Sequence, residues 1–172
     1  AGDTLDAYYA AFRIPDAIFQ FVVLGALSAG FIPVFIEYME RREDHWRIAS
    51  SILNGLFLVL AFFALIVIIF APQLQAIIAP GFSGQKLAAT ITLARIMALA
   101  PLFLGISAVC SGILQVYRRF IIYALAPLFY NVGIIVGALW LMPVFGISGL
   151  AAGVVLGAAL HMAIQIPTIR AI

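Results

Sequence analysis

The sequence contains very few charged residues. Only 9% of its 172 residues are Asp, Glu, Lys or Arg, whereas soluble globular domains usually contain about 25%. The stretch from Phe120 to Ile169 has none at all. A soluble domain cannot cover its surface in this way. The scarcity of charge therefore excludes an ordinary soluble domain, and the net charge of +2 gives no reason to expect a nucleic acid partner.

Residues that would suggest catalysis or a cofactor are also scarce. Cys110 is the only cysteine and lies in an apolar run, so a disulfide framework and a thiolate metal site are excluded. The sequence has no HExxH, GxGxxG or Walker motif and no pair of neighbouring carboxylates suited to acid–base catalysis. We therefore expect neither an enzyme nor a bound metal or cofactor.

The sequence is instead dominated by long apolar runs. Hydrophobic residues make up 66% of the chain, and a bilayer-spanning helix needs about 20 of them in succession. The run from Phe120 to Ile169 is interrupted once, by a Pro/Gly turn at 142–146, and so predicts two spans. The same criteria predict one all-α domain, a polytopic helical bundle. Its five spans lie at about 5–38, 46–76, 86–117, 120–142 and 147–169.

The positive charges predict the orientation of these spans. Cytoplasmic loops of membrane proteins carry an excess of Lys and Arg. Every second connection is rich in arginine: Arg41, Arg42 and Arg47; Arg118 and Arg119; and Arg170 after the last span. The other connections hold only Lys86. We therefore expect a multi-pass membrane protein with the 41–47 loop in the cytoplasm and Ala1 outside, as an internal piece of a longer protein.

Small residues and prolines predict how the helices pack. Gly149, Gly153 and Gly157 recur every four residues and share one face, which allows close approach of another helix. Gly25 begins a similar stripe in the first span. Pro15 and Pro33 kink or end helices because they lack a backbone donor. These positions serve packing, or alternatively hinge motion during transport.

Charges at membrane depth are the candidate functional residues, because they are costly unless they face a cavity or a partner. Asp6 and Arg13 are two helical turns apart, and Asp16 follows three residues later. They line a polar cavity or, alternatively, form a local exposed ion pair. Arg95 either faces the same cavity or extends to the interface. The lone histidine of the fifth span, His161, is a weaker candidate, for a proton relay.

Several motifs resemble those of one family, in order along nearly the whole chain. They are DAYYAAFRIPD at 6–16, GALS at 25–28, FIPVFIEY at 31–38, APGF at 79–82, LARIM at 93–97, GILQ at 112–115, Arg119-Phe120, Ala126-Pro127, Asn131 and GISGLAAG at 146–153. Together they resemble the MurJ/MviN family, bacterial lipid II flippases of the MOP exporter superfamily. The first motif resembles the second transmembrane segment of that family.

The resemblance implies segments two to six of about fourteen, which make up most of one lobe of the transporter. It implies a central cationic cavity that takes an undecaprenyl-pyrophosphate-linked peptidoglycan precursor and releases it outside by alternating access. Membrane lipids would surround a protein expected to work as a monomer in the bacterial inner membrane. By the same resemblance, Arg13 would contact the phosphates and Asp6 would tune or gate that charge. Asp16, as the charge beside Arg13, and Arg95, as a source of further positive potential, are the other substrate-binding candidates.

The sequence departs from the family pattern along its first span. Asp16 replaces an Asn, Phe19 stands at a basic position, and Leu24 replaces the Glu before Gly25. Two alternatives therefore stay open. One is another MOP exporter, which moves a different polyprenyl-linked glycan or a small cation. The other is a transport-inactive scaffold for envelope assembly.

Overall fold

The computed structural model describes residues 2–40 and 44–172, without the side chains of Asp3 and of residues 24–29. These ranges contain helices and no strand. The α-helices are α1 (Gly2–Ile18), α2 (Gly25–Glu40), α3 (His45–Ile78), α4 (Gly84–Met97), α5 (Ala100–Val116), α6 (Phe120–Val136), α7 (Met142–Phe145), α8 (Ile147–Ala163) and α9 (Ile166–Arg170). Two π-helical segments join α1 to α2 (Phe19–Leu24) and α6 to α7 (Gly137–Leu141).

The first of these π-helical segments makes α1 and α2 one continuous helical path. Pro15 and Pro33 lie inside the two α-helices. Pro15 removes the N–H that would otherwise bond one turn back, and the π-helical turns begin four residues later, at Phe19. π-Helical turns are rare and recur at functional sites. The predicted first span, 5–38, lies within this path, and its crossing of a membrane stays a prediction.

Prolines also explain the irregularities of the next helices. Phe70 has non-helical backbone angles, and Pro72 two residues later lacks the N–H that Ile68 would need. The segment predicted as one span at 86–117 is divided at Ala98 and Leu99, just before Pro101 at the start of α5. In the same way, α8 and α9 are separated at Ile164 and Gln165, just before Pro167.

Composition and surface together make this a helical membrane bundle. By length and hydropathy, four helical stretches in the described part of the chain could cross a membrane: His45–Ile78, Gly84–Val116, Phe120–Phe145 and Ile147–Arg170. The second is the most enclosed and so lies at the centre. Large apolar side chains on the outer helices are exposed, among them Leu58, Phe62 and Ile121. The prediction of a helical membrane bundle is confirmed, whereas the exact span boundaries are not tested.

Candidate functional site

The structure brings Asp6 and Arg13 to the same cavity, one of about 240 Å³ beside α1. Residues seven apart lie about two turns apart on one helix face, which explains why both side chains reach it. The opposite wall is made by the end of α3 and the turn that follows it, including Ala79 and Phe82. Arg13 is exposed. The cavity therefore presents a cation beside an acid.

Asp6 is bound to α4 and not to its neighbour on α1. Its carboxylate accepts a hydrogen bond from Lys86 Nζ at 2.9 Å, and the same ammonium lies 4.2 Å from the centre of the Phe82 ring. Within the described ranges, no ion pair joins Arg13 to Asp6 or to Asp16. The Arg13 charge is therefore available to a ligand, while Asp6 holds α1 against α4.

Asp16 lies on a different cavity from Arg13. Its Oδ2 accepts a hydrogen bond from Gln20 Nε2 at 2.8 Å, one turn further along the helix. Together with Phe12 and Pro15 it lines a cavity of about 390 Å³ that reaches Tyr130 on α6 and His161 on α8. The local ion pair considered for Arg13 and Asp16 does not form; the two side chains line different cavities.

Arg95 interacts with the backbone of α3. Its Nε donates a hydrogen bond of 3.0 Å to the carbonyl oxygen of Ile68. That carbonyl lacks its usual helical donor because residue 72, four positions on, is proline. An unpaired carbonyl at membrane depth is costly, so Arg95 stabilises the α3 kink. Whether it also contacts a substrate stays a prediction.

A second polar region lies between α5 and the end of α8. The sequence indicates His161 as a candidate but does not predict that Ser107, Ser111 and Gln165 surround it. Ser107 Oγ lies 2.6 Å from His161 Nδ1. Gln165 donates from Nε2 to Ser107 Oγ and to the carbonyl oxygen of His161, and Ser111 donates to Gln165 Oε1 at 3.1 Å. Ser107 and Gln165 are fully buried. The sequence signal for this region is the four-residue spacing of its polar residues, Ser107 with Ser111 on α5 and His161 with Gln165 at the end of α8.

His161 also faces an open groove, which we call the α1–α6 groove. The groove consists of the 390 Å³ cavity beside Asp16 and an adjoining cavity of about 410 Å³ that extends past α2 and α5. The two cavities share four of their lining residues, Phe19, Leu104, Pro127 and His161. The groove is mostly apolar, with Asp16 and His161 as polar groups on opposing elements.

The predicted glycine stripe of α8 lies against α6 and the segment that follows it. A Cβ on Gly153 would lie 2.5 Å from the Cα of Gly137. Cβ atoms on Gly149 and Gly157 would overlap backbone atoms of Leu141 and Tyr130. This packing leaves no room for a side chain. Pro33 is exposed on α2, and Gly25 lies in the segment whose surroundings are not described.

The start of α3 and the end of α5, each next to exposed arginines, lie together in the structure. His45 at the start of α3 hydrogen-bonds to Tyr117 at the end of α5, with 3.0 Å between Nε2 and the hydroxyl oxygen. Trp46 stacks on the Tyr117 ring, with 6.2 Å between centroids. Arg47, Arg118 and Arg119 are exposed close by in sequence, and Arg41 and Arg42 lie outside the described residues. The side of the membrane that this end faces stays a prediction.

Comparison with known proteins gives a consistent result. The family described as "Lipid II flippase MurJ" matches residues 1–172. A probable lipid II flippase MurJ of Buchnera aphidicola subsp. Schizaphis graminum is 33% identical over 168 residues, which cover 94% of this chain and 33% of that protein. The lipid II flippase MurJ of Burkholderia cenocepacia is 28% identical over 99% of this chain and 34% of its own length. A probable lipid II flippase MurJ of Thermotoga maritima is 30% identical over 91% and 34%.

The chain spans about a third of the length of the curated relatives that it matches. Its helices and these bacterial relatives together support a multi-pass protein of the bacterial inner membrane.

Proposed function

Since the chain belongs to the lipid II flippase MurJ family, we propose that the protein containing it moves a lipid-linked peptidoglycan precursor across the bacterial inner membrane. The family is one of transporters and not of catalysts. In this proposal the substrate is an undecaprenyl-pyrophosphate-linked glycan, lipid II, and the protein works as a monomer by alternating access. The arginine-rich end faces the cytoplasm and Ala1 the outside.

The observation that carries this proposal is the position of Arg13. It is an exposed cation on a helix of a membrane bundle, in a cavity that it shares with Asp6. A guanidinium forms strong, charge-assisted hydrogen bonds with phosphate oxygens. A charge at membrane depth is costly unless it serves a partner, and within the described ranges no acidic side chain forms an ion pair with Arg13. A pyrophosphate is a partner of the required charge.

Asp6 supports the same interpretation through a different interaction. Because Lys86 holds its carboxylate, Asp6 neutralises less of the Arg13 charge than a directly paired acid would. In our proposal, the Asp6–Lys86 pair keeps α1 and α4 together on the outer side while Arg13 binds the substrate phosphates. Because Asp6 is largely exposed, loss of this pair should weaken the α1–α4 contact only slightly.

The proposal is tested in bacteria depleted of their own lipid II flippase. The full-length protein is expected to restore growth and to restore lipid II in the outer leaflet, measured by surface labelling or enzymatic cleavage. Arg13→Ala is expected to abolish both, whereas Arg13→Lys retains part. Arg170→Ala is the matched control, since Arg170 is exposed at the end of α9, and it should behave as the unaltered protein.

Each alternative gives a different result in this experiment. Failure of the well-inserted, unaltered protein to restore outer-leaflet lipid II would contradict the flippase and favour another cargo or a scaffold. Restoration that survives Arg13→Ala would retain the flippase and reject Arg13 as the phosphate contact.

A further inference from the structure

The hydrogen bonds around Ser107 bear on which nitrogen of the His161 ring carries a proton. Both N–H groups of Gln165 are in use, one toward Ser107 Oγ and one toward the carbonyl of His161 at 3.0 Å. The orientation of the Gln165 amide is set by Ser111, which donates to its Oε1. Ser107 therefore accepts from Gln165, and its own hydroxyl proton is free to be donated elsewhere.

Two acceptors are available to that hydroxyl proton. One is His161 Nδ1, with 2.6 Å between the two heavy atoms, and the other is the carbonyl oxygen of His161 at 3.3 Å. This carbonyl has room for a side-chain donor because the Gln165 backbone N–H bonds to Met162 and not to His161. Ser107 can thus donate a hydrogen bond to Nδ1. Alternatively, its hydroxyl can rotate, donate to the carbonyl oxygen and accept a hydrogen bond from a protonated Nδ1.

The other edge of the His161 ring lies toward the α1–α6 groove. Nδ1 lies 2.6 Å from Ser107 Oγ and, less closely, 3.4 Å from Gln165 Nε2, and within the described part of the chain Nε2 has no hydrogen-bond partner. The titratable groups that share the groove are Asp16 on α1 and Tyr123 and Tyr130 on α6. The elements that hold the ring, α5 and the end of α8, contribute only uncharged Ser107, Ser111 and Gln165. Asp16 is therefore the one charged residue among the described residues that line the groove.

We propose that His161 is a proton-binding site in the α1–α6 groove, with Ser107 as a hydroxyl that adapts to both protonation states and Asp16 as the counter-charge. In the neutral state Nε2 carries the ring proton and Nδ1 accepts from Ser107. When a proton from water binds Nδ1, the ring becomes an imidazolium and Nδ1 donates to Ser107 Oγ. The Ser107 hydroxyl then donates to the His161 carbonyl.

This arrangement explains why a histidine can be tolerated at membrane depth in both states. In each state every proton on Ser107, Gln165 and Nδ1 has an acceptor, so uptake of a proton leaves none of these three groups unpaired. The added positive charge is offset across the groove by the Asp16 carboxylate. The site is independent of the proposed flippase activity, because neither Arg13 nor Asp6 takes part in it.

The test is ¹⁵N solid-state NMR of histidine-labelled full-length protein in phospholipid bilayers, with His161 assigned by the signal lost in His161→Gln. Near pH 8 we expect one neutral form, protonated at Nε2 and bare at Nδ1, and near pH 5 an imidazolium. A ring that stays neutral at pH 5, or a neutral form protonated at Nδ1, would overturn the proposal.

Two variants and a control identify the roles of the neighbours. Asp16→Asn should reduce the imidazolium signal at mid-titration by roughly threefold, and Ser107→Ala should give a mixture of the two neutral tautomers. Thr92→Ala removes an exposed hydroxyl on α4 that bonds to the Ala88 carbonyl of its own helix and should leave both signals unchanged. An Asp16→Asn titration identical to that of the unaltered protein would reject Asp16 as the counter-charge.

Discussion

The contact between α6 and α8 and the helical path of α1 and α2 are built on opposite principles. The first has no charged residue, and glycines bring two backbones together, with Gly137 and Gly153 leaving no space for even one methyl group. The second carries the charged residues Asp6, Arg13 and Asp16. Both regions contain an internal proline and a π-helical segment, so what distinguishes them is charge and the closeness of the backbones. Close-packed backbone resists rearrangement, whereas charged side chains require a cavity or a partner.

This difference separates the structural part of the lobe from the part that meets polar groups. The α6–α8 contact provides a fixed surface, and the groove and the Arg13 cavity are both bounded by α1. Asp6, Arg13 and Asp16 each line a cavity, and a charged side chain at membrane depth is tolerated where it faces a cavity or a partner. We therefore expect substitutions at the glycine contact to affect folding, and substitutions on α1 to affect function with the fold retained.

The largest effect on stability is expected from Gly153→Leu. The new side chain would have to displace the α6 backbone at Gly137, and overpacking of this kind costs about 3 kcal/mol or more. The full-length protein should unfold at a much lower temperature in detergent, measured by size exclusion after heating. Gly55→Leu on α3 is the matched control, since a Cβ there has no atom within 4 Å. Equal loss in both variants would contradict a tight α6–α8 contact.

A smaller effect is expected at Arg95. Arg95→Gln removes the hydrogen bond to the Ile68 carbonyl and should cost about 1–2 kcal/mol of unfolding free energy. Pro72→Ala gives that carbonyl a helical N–H donor, so in this background the same substitution should cost clearly less. The double-mutant cycle is measured by chemical unfolding in mixed micelles. Additive effects would show that the Ile68 carbonyl, left without a helical donor by Pro72, is not stabilised by a hydrogen bond from Arg95.

The smallest effect on stability is expected at the pair of Asp6 and Lys86. Asp6 is largely exposed, with 59% of its side-chain surface accessible, so solvent screens the attraction. The coupling between Asp6→Asn and Lys86→Met should be about 0.5 kcal/mol and should fall as salt is raised. A coupling of several kcal/mol, insensitive to salt, would mean that this pair is buried in the full-length protein.

The sequence predicts the parts of this fold that depend on composition and local spacing. Charge-free runs and prolines indicate the apolar helices and their breaks, and glycines four residues apart indicate a close-packed face on α8. The ordered set of motifs from Asp6 to Gly153 indicates the family that the comparisons show. These features are local, and a single chain displays them directly.

Contacts between distant segments could not be predicted in this way. Pro72 implies a carbonyl without a donor at Ile68, but nothing in the sequence indicates Arg95 as the donor. Lys86 lies 80 residues from Asp6, and Ser107, which lies next to His161 Nδ1, is 54 residues away on α5. The three-residue spacing predicts that Asp16 interacts with Arg13. In the structure Asp16 instead bonds to Gln20 and lines the α1–α6 groove.

The central claim is that Arg13 binds the phosphates of a lipid-linked substrate, and substrate binding tests it most directly. Native mass spectrometry or a tryptophan fluorescence titration would compare an undecaprenyl-pyrophosphate-linked glycan with the matching polyprenyl alcohol, for the full-length protein and for Arg13→Ala. We predict that the unaltered protein prefers the pyrophosphate at least about tenfold, equivalent to about 1.4 kcal/mol, and that Arg13→Ala loses most of this preference while remaining folded. An unchanged preference in the folded variant would contradict the account.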